Sequence, residues 1–413
     1  MNPQPKGSRL LAAALLGMTI ANGLVLWNSR RAFLQGYGDF SAFYTAGTLV
    51  RRGQGAQIYD RNAEWKVQQE FASEVEIRKG PLPYIRPPFE ALLFAAFAAW
   101  PYPTAVLLWS ALKLVLLFSI PLIVRWGGVW RDAFPPWAAG LLALGTYPVF
   151  MDFLQGQDSV LLAFLFAIAY WQLARGKDGG AGFALGLGLF KFHLVLPFVA
   201  ILWLAGRKRI LSGFVVAAMG AVAASLAIVG WRGLLQYPGY LFTLNRAHGV
   251  GVVTPEYQIN LRGLLTLFVG RSPYPGPVHW ALLPIGLVAI LYSGTLWRKA
   301  RDRRLPECFG LALITVILTS YYAYTYDLTS LVVPLLAMRT IPRKSPNTDW
   351  LTGYFETTGI LLLLFTPLYW FVKLQFQAEF LMTLPLLAVG FALVRRLRQN
   401  EDAEAVALQR KAQ

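Results

Sequence analysis

Apolar runs long enough to cross a lipid bilayer recur along almost the whole chain, parted by short polar joints. They fall at 8–28, 104–124, 135–151, 158–174, 208–230, 279–297, 307–323, 327–340, 352–372 and 378–396, and each reads as a membrane helix. Two stretches break the pattern. Residues 88–100 are apolar but short for a crossing, which predicts a half-helix lying in the interface. Residues 181–205 offer only about 25 positions between two basic joints, too few for two full crossings at ~1.5 Å per residue. A hairpin of two short helices, turning near Lys191-Phe192-His193, fits that length.

Between the first two runs lies a long mixed segment. Phe40, Phe43, Tyr44, Gly47 and Val50 recur at helical spacing, which predicts a short amphipathic helix over 40–52. Asp39 stands where an N-cap belongs, and Gly53 where a left-handed C-cap belongs. A second helix is expected over 62–78, where Val67, Phe71 and Val75 repeat opposite Glu70 and Glu74. Pro81, Pro83, Pro87 and Pro88 then break the chain before the next apolar run.

Composition agrees with this pattern. Hydrophobic residues make up 56% of the 413, and charged residues only 14%, against about 25% in soluble proteins. The chain therefore reads as an all-α polytopic membrane protein with about 11–13 membrane helices, a single membrane domain over 1–413. Residues 29–103 form its first outer loop and 397–413 its cytoplasmic tail. A net charge of +17 could suggest nucleic acid. Here the basic residues gather in short joints at Arg125/Arg131, Arg175/Lys177, Arg207-Lys208-Arg209, Arg298 to Arg304, Arg339/Arg343/Lys344 and Arg395-Arg396. That is the signature of cytoplasmic loops beside anionic lipid, so membrane lipids are expected as partners and nucleic acid is not. Residues 10–26 resemble a signal peptide without an A-x-A cleavage site, which reads as an uncleaved anchor. The basic joints place the N-terminus inside and residues 29–87 outside; the positive-inside bias is weak in so long a loop. A lone cysteine, Cys308, excludes an internal disulfide. The three histidines stand far apart, so neither a metal site nor a cofactor motif is expected.

Chemistry has few carriers in such a chain. Among only 21 acidic residues, Asp39, Asp152, Asp158 and Asp327 lie at expected outer ends of helices. A carboxylate at that depth is costly unless paired or solvated, which makes each a functional candidate. Each also has a bland reading: Asp39 as a helix cap, Asp158 as the cap of the helix after it, and Asp327 as part of an aromatic belt with Tyr321 to Tyr326. Lys191 is harder to explain away, since a lysine deep in apolar sequence costs about 2.5–3.5 kcal/mol to insert. It either snorkels from the hairpin turn or meets an anionic ligand, with His193 assisting. On the second reading Lys191→Met would keep stability and lose ligand binding. Arg86 and Arg262 are further outer cations able to meet a phosphate.

The order of motifs resembles glycosyltransferase family 87. It runs from Asp39-Phe40, Tyr44, Gly53 and Tyr59-Asp60 to Arg86-Pro87-Pro88-Phe89, then Gly156-Gln157, then Ala181-Gly182 leading to Lys191 and Pro197, and last Tyr326-Asp327-Leu328. The resemblance covers about residues 8–396. It implies the GT-C fold with a large helical first outer loop, and a donor sugar, mannose above all, carried on a polyprenyl phosphate. Transfer would go to a lipid or glycan acceptor on the outer face of the plasma membrane, with inversion at the anomeric carbon. Asp39 matches the family's essential first-loop aspartate, and Lys191 its lysine between two apolar halves. The chain departs from many members at Tyr326, where they carry histidine, and at Gln258-Ile259-Asn260.

An inverting transfer needs one base for the acceptor hydroxyl and stabilisation of a departing phosphate. The residues allow this: Asp39 as base, Lys191 with Arg86 or His193 on the phosphate, and Gln157, Asp158, Tyr326 and Asp327 around the sugar, with Arg262 a further substrate contact. The rival from another class is a transporter or flippase for polyprenol-linked sugars, which would show inverted repeats and broken helices in both halves.

Overall fold

A computed structural model describes residues 6–72, 80–129, 135–246, 257–269, 277–339 and 350–412. All regular elements among them are helical. The expectations for residues 73–78, Arg131, Arg343 and Lys344, and for parts of the 231–278 joint, fall outside the described residues. Five helical segments are long and apolar enough to cross a membrane, two bent pairs could each supply another crossing, and four shorter apolar helices accompany them. The protein is a multi-pass membrane protein. Its broad exposed apolar surface, with Val215, Val216, Met219 and Val222 on one face of a single helix, fits lipid contact.

The expected hairpin forms. By length and composition Asp178–Leu204 would pass as one crossing. A straight helix of that size would hold its ends about 40 Å apart. Instead Arg207 pairs with Asp178 at 2.5 Å, and Gly182 packs so tightly on the next helix that a Cβ would lie 1.9 Å from the Ile210 carbonyl. Asp178–Leu187 therefore runs inward, Gly188–Lys191 turns as a 3-10 helix, and Phe192–Leu204 returns.

Two expected straight crossings are corrected. The 135–151 run is split into Pro136–Leu144 and Tyr147–Gln155, which meet at 70°. The 352–372 run breaks between Thr352–Leu364 and Thr366–Phe376, at 66°. Each second arm opens with proline at its second position, Pro148 and Pro367, where the ring disfavours helix in the residue before it. The two bends support one another: the Thr366 hydroxyl donates to the Gly145 carbonyl at 2.9 Å, and Tyr147 stacks on Tyr369 at 4.3 Å. The long helix Ile210–Arg246 also breaks at Gly230, whose φ of 66° needs glycine, at the end of the expected 208–230 run.

The first loop folds as its pattern foretells. Phe40–Arg51 is helical and closes at Gly53 with φ +71°. Arg61–Ala72 follows, burying Val67 and leaving Glu70 outside on Arg52. The short apolar stretch holds only the eight-residue helix Glu90–Phe97. It lies so close to Phe40–Arg51 that a Cβ on Gly47 would sit 2.4 Å from the Phe94 backbone. Phe43 stacks on Phe94 at 4.7 Å and Phe40 on Trp109 at 6.5 Å, so an aromatic nest clamps the loop to the membrane helix Tyr102–Val124.

Candidate functional site

The site begins where two tight turns meet. A Cβ on Gly38 would lie 2.9 Å from the Gln155 carbonyl, and one on Gly156 2.6 Å from Phe40 Cβ. Gly156 also takes φ +69° to end the Tyr147–Gln155 helix. Two positions without side chains thus let the start of the first-loop helix press against residues 155–157. Trp109 fixes that turn by donating to the Gly156 carbonyl at 3.0 Å.

This contact sets Gln157 beside Asp39. Its Nε2 donates to Asp39 Oδ2 at 2.6 Å, while its Oε1 accepts from Arg86 Nη2 at 3.0 Å. Asp39 makes no side-chain capping bond to its own helix. The capping reading of Asp158 is likewise displaced: Asp152 Oδ2 accepts from the Ser159 and Val160 N–H groups at 2.7 and 3.2 Å, across seven and eight residues. Asp152 Oδ1 is held by Lys113 at 2.8 Å. Asp158 instead turns inward and receives Arg86 on both oxygens, at 2.9 Å each.

Beneath lies a dry ion cluster. Lys191, at the hairpin tip, reaches Asp158 at 2.8 Å and Asp327 at 2.6 Å, and bonds the Ser159 hydroxyl. Asp327 Oδ2 accepts from the Tyr324 N–H at 2.9 Å, which pins the 3-10 turn Thr325–Leu331. Tyr326 covers Lys191, with the ammonium 5.0 Å from its ring centre. Glu90, buried on the first-loop side, joins Asp158. Burial, and next the Asp158 charge, push its carboxyl well above the usual range. The ion pairs of the inner cluster set two cations, Arg86 and Lys191, against two carboxylates, Asp158 and Asp327.

Above the cluster opens a cavity of about 480 Å³, walled in part by Asp39, Arg86, Gln157, His193, Tyr326 and Asp327. Lys191 does not reach it, being fully buried. Arg262 lies elsewhere, stacked 3.9 Å over Tyr321 and donating to that residue's carbonyl. The structure thus brings together nearly all the sequence candidates and leaves Arg262 apart. Sequence reasoning missed Lys113, although the insertion cost that singled out Lys191 applies equally to it. It also missed Glu90, Lys373 and Glu379. The last two wall the same cavity.

The fold is that of a multi-pass membrane protein, and its cavity carries Asp39, ordered by Gln157, on the same wall as Arg86. The chain belongs to glycosyltransferase family 87, whose sequence model matches residues 84–323. Among similar proteins is a polyprenol-phosphate-mannose-dependent alpha-(1-2)-phosphatidylinositol pentamannoside mannosyltransferase of Mycobacterium tuberculosis, 27% identical over 60% of this chain and 58% of that protein. A polyprenol-phosphate-mannose-dependent alpha-(1-2)-phosphatidylinositol mannoside mannosyltransferase of the same species is 26% identical, over 70% and 68% of the two chains. A pentamannoside enzyme of Mycolicibacterium smegmatis is 27% identical over 63% of each chain. The chain thus spans 58–68% of the length of these curated relatives. No solved structure matches it.

Proposed function

We propose that the protein transfers a hexose, mannose in the first place, from a polyprenyl-phosphate donor to a glycolipid or glycan hydroxyl, with inversion. The observation that carries this reading is Asp39, held by Gln157 at 2.6 Å on the wall of a cavity that also presents Arg86 and His193. In the reaction an Asp39 carboxylate oxygen takes the acceptor hydroxyl's proton as that oxygen bonds to the anomeric carbon. The bond from that carbon to the phosphate oxygen breaks, and the polyprenyl phosphate leaves with the electron pair. Arg86 and His193 face the cavity where the leaving phosphate's charge develops. Gln157, Asp158, Tyr326 and Asp327 order the sugar pocket. Lys191 acts from behind as a positioning residue, fixing Asp158 and Asp327. The relatives' names support a phosphatidylinositol mannoside as the kind of acceptor. The reading places the cavity on the outer face of the plasma membrane, in keeping with the basic joints.

Helices broken in both halves would also suit a transporter; family membership and the relatives' names weigh for transfer. Mass spectrometry of the glycolipids and glycans of a deletion strain tests the choice. Transfer predicts products short by one hexose, restored by the wild-type gene and not by Asp39→Asn. Products of normal mass with the donor lipid trapped on one leaflet would sink it.

A further inference from the structure

Among the described residues, the cations near the cavity differ in how far they can serve an incoming anion. Lys191 is sealed behind Tyr326 and held by two carboxylates. Arg86 commits its guanidinium to Asp158 and Gln157. Lys373 walls the same cavity, and a third of its side chain (33%) remains exposed. Its ammonium lies 2.9 Å from Glu379 Oε1, and Glu379 is fixed by the Thr325 hydroxyl, which donates to Oε2 at 2.8 Å. Thr325, Lys373 and Glu379 all lie beyond the 84–323 stretch that matches the family.

The backbone holds Lys373 in place by a local distortion. Val372–Phe376 is a single turn of π-helix, and at its end the Gln377 N–H donates to the Lys373 carbonyl at 3.1 Å. Gln377 takes φ +47°, the only non-glycine with left-handed backbone among the described residues. Such conformations persist where the surroundings fix them, and π turns gather at working sites. Leu374 and Phe376 of this turn, and Phe371 just before it, are exposed by 70%, 54% and 55%. A cation facing a cavity that also carries charged side chains, flanked by large apolar groups on the outside of a membrane protein, matches an amphiphile: an acyl or isoprenoid chain outside and an anionic head within.

We propose that Lys373, backed by Glu379 and Thr325, binds the phosphate of a lipid substrate whose apolar chain lies along Phe371, Leu374 and Phe376. Glu379 holds the ammonium in place while the site is empty and shares it when the phosphate arrives. This deepens the transferase reading and relies on it for the lipid's identity, which is either the polyprenyl-phosphate donor or a phospholipid-headed acceptor.

The test uses the full chain in nanodiscs and measures binding of a short-chain polyprenyl monophosphate and, separately, of phosphatidylinositol. One of the two lipids is expected to bind the parent and to lose about tenfold or more in affinity in Lys373→Met, as removal of a charged hydrogen-bond donor implies. Lys373→Arg should recover much of the loss. The lipid that responds names the source of the phosphate. Glu379→Gln removes a competing carboxylate and should tighten the same lipid several-fold, which a merely structural ion pair would not do. Equal affinity of parent and Lys373→Met for both lipids overturns the proposal, as does a loss of affinity shared by Glu379→Gln. Should the parent bind lipid phosphate through Lys373 yet transfer no sugar, the transferase reading falls and this site stands.

Discussion

Gln157 and Asp39, 118 residues apart, are joined by a 2.6 Å hydrogen bond whose direction is fixed from behind. The amide oxygen accepts from Arg86, so the amide nitrogen must point at the carboxylate. Arg86 in turn is anchored on Asp158, and Asp158 on Lys191. The aspartate at the cavity wall is thus the outermost member of a chain of polar contacts that starts at the hairpin tip. That arrangement ties the buried ions to the carboxylate at the cavity wall.

Asp39→Asn should remove turnover while leaving folding nearly intact. The asparagine oxygen still accepts from Gln157, and no capping bond of the native carboxylate is lost. A positioned base contributes about 10²–10⁴-fold, so the rate should fall by that order. Turnover assays alongside thermal unfolding in detergent check both halves. Near-parental activity in a well-folded variant would return Asp39 to a structural role.

Gln157→Glu tests positioning. A second carboxylate beside Asp39 makes deprotonation of the pair harder, so the acidic limb of the rate profile should move to higher pH. Gln157→Ala should lower kcat about tenfold without that shift, since the loss is one of orientation. Identical pH profiles for the parent and Gln157→Glu would mean that the amide does not govern the aspartate.

Much of this architecture was legible in the chain because it rests on length and period. With basic joints at Lys177 and Arg207 expected on one side, the count of residues between them suits a hairpin better than two crossings, and its turn falls at Lys191. The helix after Asp39 follows from its apolar spacing and from Gly53. What escaped depends on contacts between distant segments. Asp152 and Asp158 both precede a helix start, and only the fold decides that the farther one takes the Ser159 and Val160 amides. The bends at 145–146 and 365 hide inside continuous apolar runs, where a proline alone reads as a tolerated kink. Lys373 and Glu379 sit in a joint of ordinary polarity, and the π turn that folds one onto the other leaves no mark in hydropathy.

Accessibility of the first loop tests its side of the membrane. With Cys308→Ser as background, Glu70→Cys lies on an exposed surface. It should react with a membrane-impermeant maleimide on intact cells, whereas Arg303→Cys should react only after permeabilisation. The reverse pattern would invert the whole topology.

Glu64 gives the first loop a pH dependence. Its Oε1 accepts from the Tyr84 N–H at 2.7 Å, and its Oε2 has no hydrogen-bond partner among the described residues. Burial pushes the carboxyl up to about 8 from an ordinary 4.5. The folded state then keeps a proton that the unfolded chain releases. Stability from this group is fully present below the unfolded value and is lost as pH rises through the folded one. The unfolding temperature of the parent should therefore fall between pH 5 and pH 8.5 relative to that of Glu64→Gln, which has no such proton to lose. Parallel profiles for the two proteins would place Glu64 in a solvated setting.

Lys191 carries the sharpest change between chain and fold. Taken as a lone buried cation, it would cost stability, and Lys191→Met would be neutral or mildly stabilising. In the fold it has Asp158 at 2.8 Å and Asp327 at 2.6 Å, all three side chains being buried. Methionine would leave Asp158 to Arg86 alone and Asp327 without any cation in this cluster. Removing one partner of a buried ion pair costs about 3–5 kcal/mol, because the charge left behind stays desolvated. Lys191→Met should therefore unfold at clearly lower temperature than the parent. Lys191→Met with Asp327→Asn should regain part of the loss, since the second change discharges the stranded carboxylate. The coupling between the two substitutions is the decisive quantity. If their effects on unfolding simply add, Lys191 and Asp327 are not partners, and the lysine is free to act on substrate phosphate directly.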